Sequence, residues 1–200
     1  MDLFTAISER RAVKHFDPSH QLNDAEVATL FEQALLSPTS YNIQHWRFVR
    51  ITDNKLRQDI RIAAWDQAQV TEASELVLIC ADANAWQKSP ERYWRDAPKE
   101  VQDMLVPMLQ DFYQGREWIQ RDEAIRSGAM AAQTLMLAAK ALGYDSCPMI
   151  GFDQDKVAEL INLPDDHILV MMLPIGKALK AANGRGGQLP LQDVVLNNGF

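Results

Sequence analysis

Ser37-Pro38-Thr39-Ser40-Tyr41-Asn42-Ile43-Gln44-His45-Trp46-Arg47-Phe48 lies between an apolar helical stretch ending at Leu36 and a run, Phe48 to Thr52, that alternates like a strand. Pro38 has no amide hydrogen and biases Ser37 away from helix, so the preceding helix is expected to stop here. Thr39, Ser40, Asn42 and Gln44 can each donate and accept hydrogen bonds. Fixed between two rigid elements, such a loop suits a planar ligand ringed with polar atoms. The same residues would also serve as plain caps and turns.

On the N-terminal side, Leu22-Asn23-Asp24-Ala25-Glu26 reads as a cap with a carboxylate three positions on. The helix it opens carries Val27, Leu30, Phe31, Ala34 and Leu35 at helical spacing. Further upstream, Asp2 can cap a first helix with Leu3, Ile7 and Val13 on one side. Arg10, Arg11 and Lys14 then fall within one short stretch, before Phe16-Asp17-Pro18 breaks that helix. Cations near a helix C-terminus complement its dipole. They could instead form an anion site, with forked guanidiniums and a mobile ammonium on phosphate oxygens.

On the C-terminal side, Asp53 to Gln69 reads as a helix with Leu56, Ile60, Ala63 and Ala64 inward, and Glu75 to Ala81 as a buried strand. Asp82 to Gln120 mixes Trp86, Tyr93, Trp94, Phe112, Tyr113 and Trp118 with charges and three prolines. It is expected to be short helices over a mobile excursion, its aromatics either packing it down or forming a substrate lid. Asp122 to Leu142 is the longest clean helix, ended by Gly143. Its small residues Gly128, Ala131, Ala132 and Ala138 would let another backbone approach, from a dimer partner or from the same chain. Ser146 to Phe152 is short and neutral, Asp153 to Ile161 a capped helix, and His167 to Gly176 a second buried strand. Lys177 to Phe200 reads as an extended arm with apolar teeth, which would lie on a partner subunit. Strands separated by helices around a small sheet give a mixed α and β layer structure over residues 1–200, taken as one domain.

Composition narrows the partners. The net charge of −7 argues against a polyanion-binding surface, and no basic run interleaved with aromatics suggests nucleic acid. No apolar stretch approaches the roughly 20 residues that span a bilayer. Met1 to Arg11 lacks the apolar core of a signal peptide, so cytoplasm is the expected compartment. Cys80 and Cys147 offer neither a disulfide framework nor zinc spacing. His15, His20, His45 and His167 lack ligand spacing, so no metal is expected. His20 and His167 read as exposed beside turns; His45 could contact a ligand or be structural. No Gly-x-Ser-x-Gly elbow, phosphate loop or Gly-x-Gly-x-x-Gly occurs. Without an activated nucleophile, chemistry would have to come from a bound cofactor.

Taken together, Arg10-Arg11-x-x-Lys14-x-Phe16, Ser37-Pro38-Thr39-Ser40-x-Asn42-x-Gln44-x-Trp46-x-Phe48, Gly143, Ile150-Gly151-Phe152, Leu163-Pro164 and Pro174-Ile175-Gly176 resemble the nitroreductase family in order and separation across the chain. The resemblance implies a three-layer α+β fold, with a central, mostly antiparallel sheet flanked by helices. It also implies an intertwined homodimer that exchanges its C-terminal arms and holds FMN at the subunit interface. NADH or NADPH would serve as reductant and a nitroaromatic or quinone as acceptor, in a ping-pong hydride shuttle. Carried over by position, Arg10, Arg11 and Lys14 match contacts to phosphate, ribityl and pyrimidine edge. Pro38, Thr39, Ser40 and Asn42 match the loop given by the other subunit. Gln69 matches a polar residue near the pyrimidine. Pro148, Met149, Ile150 and Gly151 match the segment over the flavin, whose main-chain amide approaches N5. Arg185 matches a late phosphate-binding arginine. His45 stands where many members have Pro, and Ile150 where some have Glu, which leaves the acceptor's polarity open. Other readings remain: the same fold used for enone reduction, dehalogenation or dehydrogenation; a flavin-binding redox sensor; or a structural dimer whose cations only cap helices.

Overall fold

The Asp2 carboxylate accepts the Thr5 amide and starts the first helix, α1 (Leu3–Glu9), in the computed structural model, which describes residues 1–200. The helix ends at Glu9, well before the expected break at Phe16. Arg10 to Phe16 run extended because their backbone has partners elsewhere: Ala12 bridges Ser146 in parallel, and Phe16 bridges Ala178 antiparallel. α2 (Asp24–Ala34) opens with both halves of the capping box, Asn23 Oδ1 accepting from the Glu26 amide and Glu26 Oε2 from the Asn23 amide. A short 3-10 turn (Ser40–Asn42) leads to β1 (Trp46–Arg50), two residues earlier than the alternation suggested. Left-handed Tyr41, Asn42 and Gln44 complete the turn by Gln44, so Trp46 is already in the sheet.

The expected helix over Asp53 to Gln69 is two: α3 (Asn54–Ala63), capped by Asp53, and the single turn α4 (Gln69–Glu72). Trp65 and Asp66, both left-handed at φ 55° and 59°, break it without a glycine. Then follow β2 (Glu75–Asp82), α5 (Lys99–Tyr113), α6 (Glu117–Ala141), β3 (Asp145–Ser146), α7 (Gln154–Leu160), β4 (His167–Gly176) and the short α8 (Leu191–Val194). The strands form one antiparallel sheet in the order β1-β2-β4-β3. The fold is α+β, as expected.

Alternation in β2 divides the core. Val77 and Ile79 point to a cluster with α2 and α6, while Leu76, Leu78 and Cys80 point to one with α3, α4 and α7. β4 follows the same parity only as far as a bulge opposite Ile79 and Cys80, where Val170 is the extra residue. Leu169 and Met172 therefore share one cluster, and Val170 is pushed towards α6. A Cβ on Gly128 would lie 2.9 Å from Val170 Cγ2, so a larger residue there would have to displace Val170, and the glycine serves close helix–strand packing inside this chain. Ala131 and Ala132 are likewise fully buried within the chain. Ala138 alone of that stripe lines an open apolar groove between α1, α2 and α6.

The excursion is packed rather than loose. Ala85, Trp86, Tyr93, Leu109 and Tyr113 form a third cluster with Ile43 of the loop, joined by Tyr41 and Trp94. No helix is long and apolar enough to cross a membrane.

Candidate functional site

The chain has more carboxylates than cations, yet some cations find no ion-pair partner. Three of these are otherwise engaged: Arg57 on the Ala73 and Ser74 carbonyls, Arg92 on the Tyr93 hydroxyl, Arg116 over the Phe112 ring. The others are Arg10, Arg11, Lys14, Lys177, Lys180 and Arg185, and they share one ribbon. The Asp17 amide donates to the Lys177 carbonyl at 2.8 Å and the Leu179 amide to the His15 carbonyl at 2.9 Å, which lays 177–179 along 15–17. Arg185 Nη2 reaches the carbonyls of Ile7, Ser8 and Arg10 at 3.4, 3.3 and 3.4 Å. Arg11 Nη1 donates to Ser8 at 2.5 Å and Arg10 at 3.1 Å. Arg11 and Arg185 thus act partly as complements to the C-terminal end of α1. Arg10 and Lys14 make no side-chain hydrogen bond within the chain and leave their charge uncommitted.

Beside the ribbon runs the Ser146–Gly151 segment. The Val13 amide donates to the Ser146 carbonyl at 3.0 Å, and Met149 exchanges two 2.9 Å backbone hydrogen bonds with Met172. From this anchorage Ile150, 70% exposed, and Gly151 step outward. Gln69 is buried beneath them: its Nε2 donates to Met149 Sδ at 3.5 Å and to Gln67 Oε1 at 3.0 Å. Gln67 Nε2 in turn donates to the Gly151 carbonyl at 2.7 Å. Arg10, Arg11, Lys14, Gln69, Pro148, Met149, Ile150, Gly151 and Arg185 are thereby assembled at one edge of the fold. Burial pushes the Cys147 thiol up, with Lys14 offsetting part of it, and burial pushes Cys80 up to about 12, so neither is a thiolate nucleophile near neutral pH.

Pro38, Thr39, Ser40 and Asn42 have other company. Asn42 Nδ2 donates to the Tyr93 carbonyl at 2.7 Å, the Ser40 amide to Glu123 at 3.4 Å, and the Gln44 amide to Thr39 Oγ1 at 3.1 Å. These are partners on the excursion, on α6 and within the loop, and none belongs to the cation ribbon. Beside Asn42 and Gln44 opens a cavity of about 570 Å³ walled by Trp46, Phe48, Tyr93 and Arg92. His45 settles into the structural of its two roles: it is fully buried, with Ser127 Oγ 3.1 Å from Nδ1, and burial lowers its pKa to about 4. His20 and His167, expected to be exposed, are both partly buried and bonded. His20 Nε2 lies 3.2 Å from the Tyr144 hydroxyl, and His167 Nδ1 lies 2.7 Å from Asp166. Asp82, Asp166 and His167 also converge, a grouping not visible as sequence spacing. Lys88 Nζ sits among them, 2.9 Å from Asp82 and 2.6 Å from Asp166, and supplies the positive charge itself.

With this geometry, comparison with known proteins is direct. The sequence model of the nitroreductase family matches residues 7–177. The chain belongs to the nitroreductase family. It is 55% identical over 196 residues to protein DrgA of Synechocystis, covering 96% of this chain and 93% of that one. It is 33% identical to MhqN of Bacillus subtilis, named a candidate NAD(P)H nitroreductase, covering 94% and 95% of the two chains. A crystal structure from Exiguobacterium sibiricum, solved in complex with FMN, superposes with a TM-score of 0.91 at 28% identity, covering 99% and 98%. Family membership accounts for the fold and for the order of the motifs.

One residue at this edge escaped the sequence reading. Gln67 reaches Gly151 across 84 positions of chain. The repeat Gln67-x-Gln69 ahead of a buried strand was the available signal, but the expected unbroken helix would have pointed the two side chains apart.

Proposed function

We propose that this chain is an FMN-dependent oxidoreductase that takes hydride from NADH or NADPH and delivers it to electron-poor acceptors such as nitroaromatics and quinones. The observation that carries the reading is the gathering of unpaired cations beside the Ser146–Gly151 segment in an otherwise acidic chain. A flavin phosphate carries close to two negative charges at neutral pH and fits such a cluster better than a single lysine would. Bound FMN would supply the hydride chemistry, which side chains lack. Arg10, Arg11, Lys14 and Arg185 would hold the phosphate and ribityl end. Gln69, buried and with its Nε2 committed to Gln67 and Met149, would offer the pyrimidine edge only its Oε1. Pro148, Met149, Ile150 and Gly151 would line the ring system, offering a main-chain amide in place of a protein acid or base.

The loop's distance from the ribbon in bonding partners supports a shared site in a homodimer, completed by Pro38, Thr39, Ser40 and Asn42 of the partner subunit. Surface character agrees: Phe4 is 82% exposed on α1, and Leu189, Leu191 and Leu196 are exposed along the arm. The groove between α1, α2 and α6, about 430 Å³ and mostly apolar, suits such teeth in an arm exchange. Cytoplasm is the proposed compartment, where two buried free cysteines stay reduced.

Purified protein is expected to be yellow or to take up FMN. Anaerobic mixing with NADH or NADPH should bleach it within seconds, and a nitroaromatic should restore the colour. Arg10→Ala should weaken FMN binding by about 1.5–3 kcal/mol. A colourless protein that cannot take up FMN overturns the reading, and a monomer that holds FMN tightly overturns the shared site.

A further inference from the structure

The turn that breaks the expected helix touches the segment beside the proposed flavin at more than one point. Trp65, 68% exposed and left-handed, has Cζ3 3.4 Å from where a Gly151 Cβ would stand. Asp66, also left-handed, is held by Arg61 Nε at 2.7 Å and donates its amide to the Arg61 carbonyl at 3.0 Å. Gln67 then places Nε2 2.7 Å from the Gly151 carbonyl, with its own Oε1 fixed by buried Gln69. The Asp153 amide donates to the Ala63 carbonyl at 2.9 Å and ties down the far side. Two successive non-glycine residues in the left-handed region cost energy, and such strain persists only where the surroundings over-determine it.

Gly151 is exposed, so water could satisfy its carbonyl without Gln67. The hydrogen bond is therefore not needed to avoid a buried unpaired acceptor. Its remaining effect is directional: it fixes the rotation of a glycine, the residue with the most freedom to turn. We propose that Gln67 is a positioning residue, a clamp that sets the orientation of the Ile150–Gly151–Phe152 backbone towards the bound flavin and so favours its reduced form. This rests on the flavin reading above.

Gln67→Met tests it, since methionine matches the shape and neutrality of glutamine but has no N–H donor. It also removes the Oε1 that Gln69 bonds. Gln69→Met, which loses that contact while Gln67 keeps its N–H on Gly151, is the control and should leave the Ile150 to Phe152 amides as in wild type. In the FMN-free Gln67→Met protein, amides of Ile150 to Phe152 should exchange with solvent faster than in wild type, with the melting temperature lowered by no more than roughly 2–4 °C for the hydrogen bonds lost. With FMN saturating, the ratio of reduced to oxidised flavin affinity should fall about tenfold, a two-electron potential about 30 mV more negative. Gln67→Asn, one methylene too short to reach, should behave the same way. A packing role alone predicts wild-type values for Gln67→Met, so an unchanged potential overturns the proposal whatever the amides do. Loss of FMN binding at saturating concentration with no larger fall in melting temperature also overturns it, because Gln67 would then hold the cofactor itself. If wild type takes up no FMN, the flavin reading fails by itself, and the amide comparison still decides whether the clamp exists.

Discussion

The two halves of the proposed site treat polar groups in opposite ways. At the ribbon, Arg10 and Lys14 keep their charges uncommitted, and the neighbouring Ile150 and Gly151 are open to solvent. Around the Ser37–Phe48 loop most polar groups are already consumed, with Asn42 Oδ1 and the buried His45 Nε2 left over. Asp82, 2% exposed, accepts from Lys88 at 2.9 Å, from Arg47 at 3.4 Å and from the Asn84 amide at 3.0 Å, and His45 is sealed beside it. A region that spends its hydrogen bonds internally is a scaffold; one that leaves them unspent is built for something else to bind. Substitutions should therefore separate the two, moving stability on one side and ligand affinity on the other.

The largest effect is expected at His45. Burial lowers its pKa to about 4, with Asp82 opposing and Arg47 adding to the shift, so the folded chain keeps the ring neutral. The unfolded chain takes up a proton near the ordinary value of 6.5. The folded pKa being the lower, this contribution to stability is complete above pH 6.5 and is lost as pH falls to about 4. The linkage amounts to about 3 kcal/mol at most. Asp166, held down to about 2 by Lys88 and then His167, loses its contribution only at lower pH, between 3.8 and about 2. Urea unfolding of wild type from pH 7 to 4 should show the His45 loss, and His45→Asn, which keeps an acceptor for Ser127 but does not titrate, should flatten it. An equal slope in both proteins would mean the ring is hydrated.

Asp82→Ala should come next, at about 2–3 kcal/mol. That is below the usual cost of breaking a buried pair, because Lys88 and Arg47 are each more than a third exposed and Lys88 keeps Asp166. The urea midpoint should fall with its slope unchanged, while FMN affinity per folded molecule stays at the wild-type value. Arg10→Ala should do the reverse. Were either substitution to move both quantities alike, scaffold and binding edge could not be told apart.

How far this division could be read beforehand depended on range. Asn23 and Glu26, three residues apart, signalled their capping box directly, and Gly143 with φ 87° ends α6 as its type predicts. The cation triplet and the Ser37–Phe48 loop were legible for the same reason, each lying within one short stretch. The Asp82–Lys88–Asp166 network joins residues up to 84 positions apart, and nothing local marks Asp82 as buried. Nor does anything local mark Trp65 and Asp66 as a break, since neither is a glycine and the apolar spacing runs on to Ala64. The bulge at Val170 is hidden in an unbroken apolar run and shows only when β4 meets β2 and α6.

The smallest effect belongs to Asn42, where the two roles meet in one side chain. Its Nδ2 is spent on the Tyr93 carbonyl, which ties the loop to the excursion, while Oδ1 makes no hydrogen bond within the chain. Its φ of 54° is one that glycine adopts without strain, so Asn42→Gly removes the side chain and spares the backbone. The lost hydrogen bond should cost about 1 kcal/mol, or roughly 2–4 °C of melting temperature for a chain of this size, measured without FMN. If Oδ1 is what the loop offers a cofactor across the dimer, the FMN dissociation constant should also rise several-fold, as for one neutral hydrogen bond. A lower melting temperature with unchanged FMN affinity would confine Asn42 to the scaffold and leave Thr39 and Ser40 to represent the loop at the binding edge.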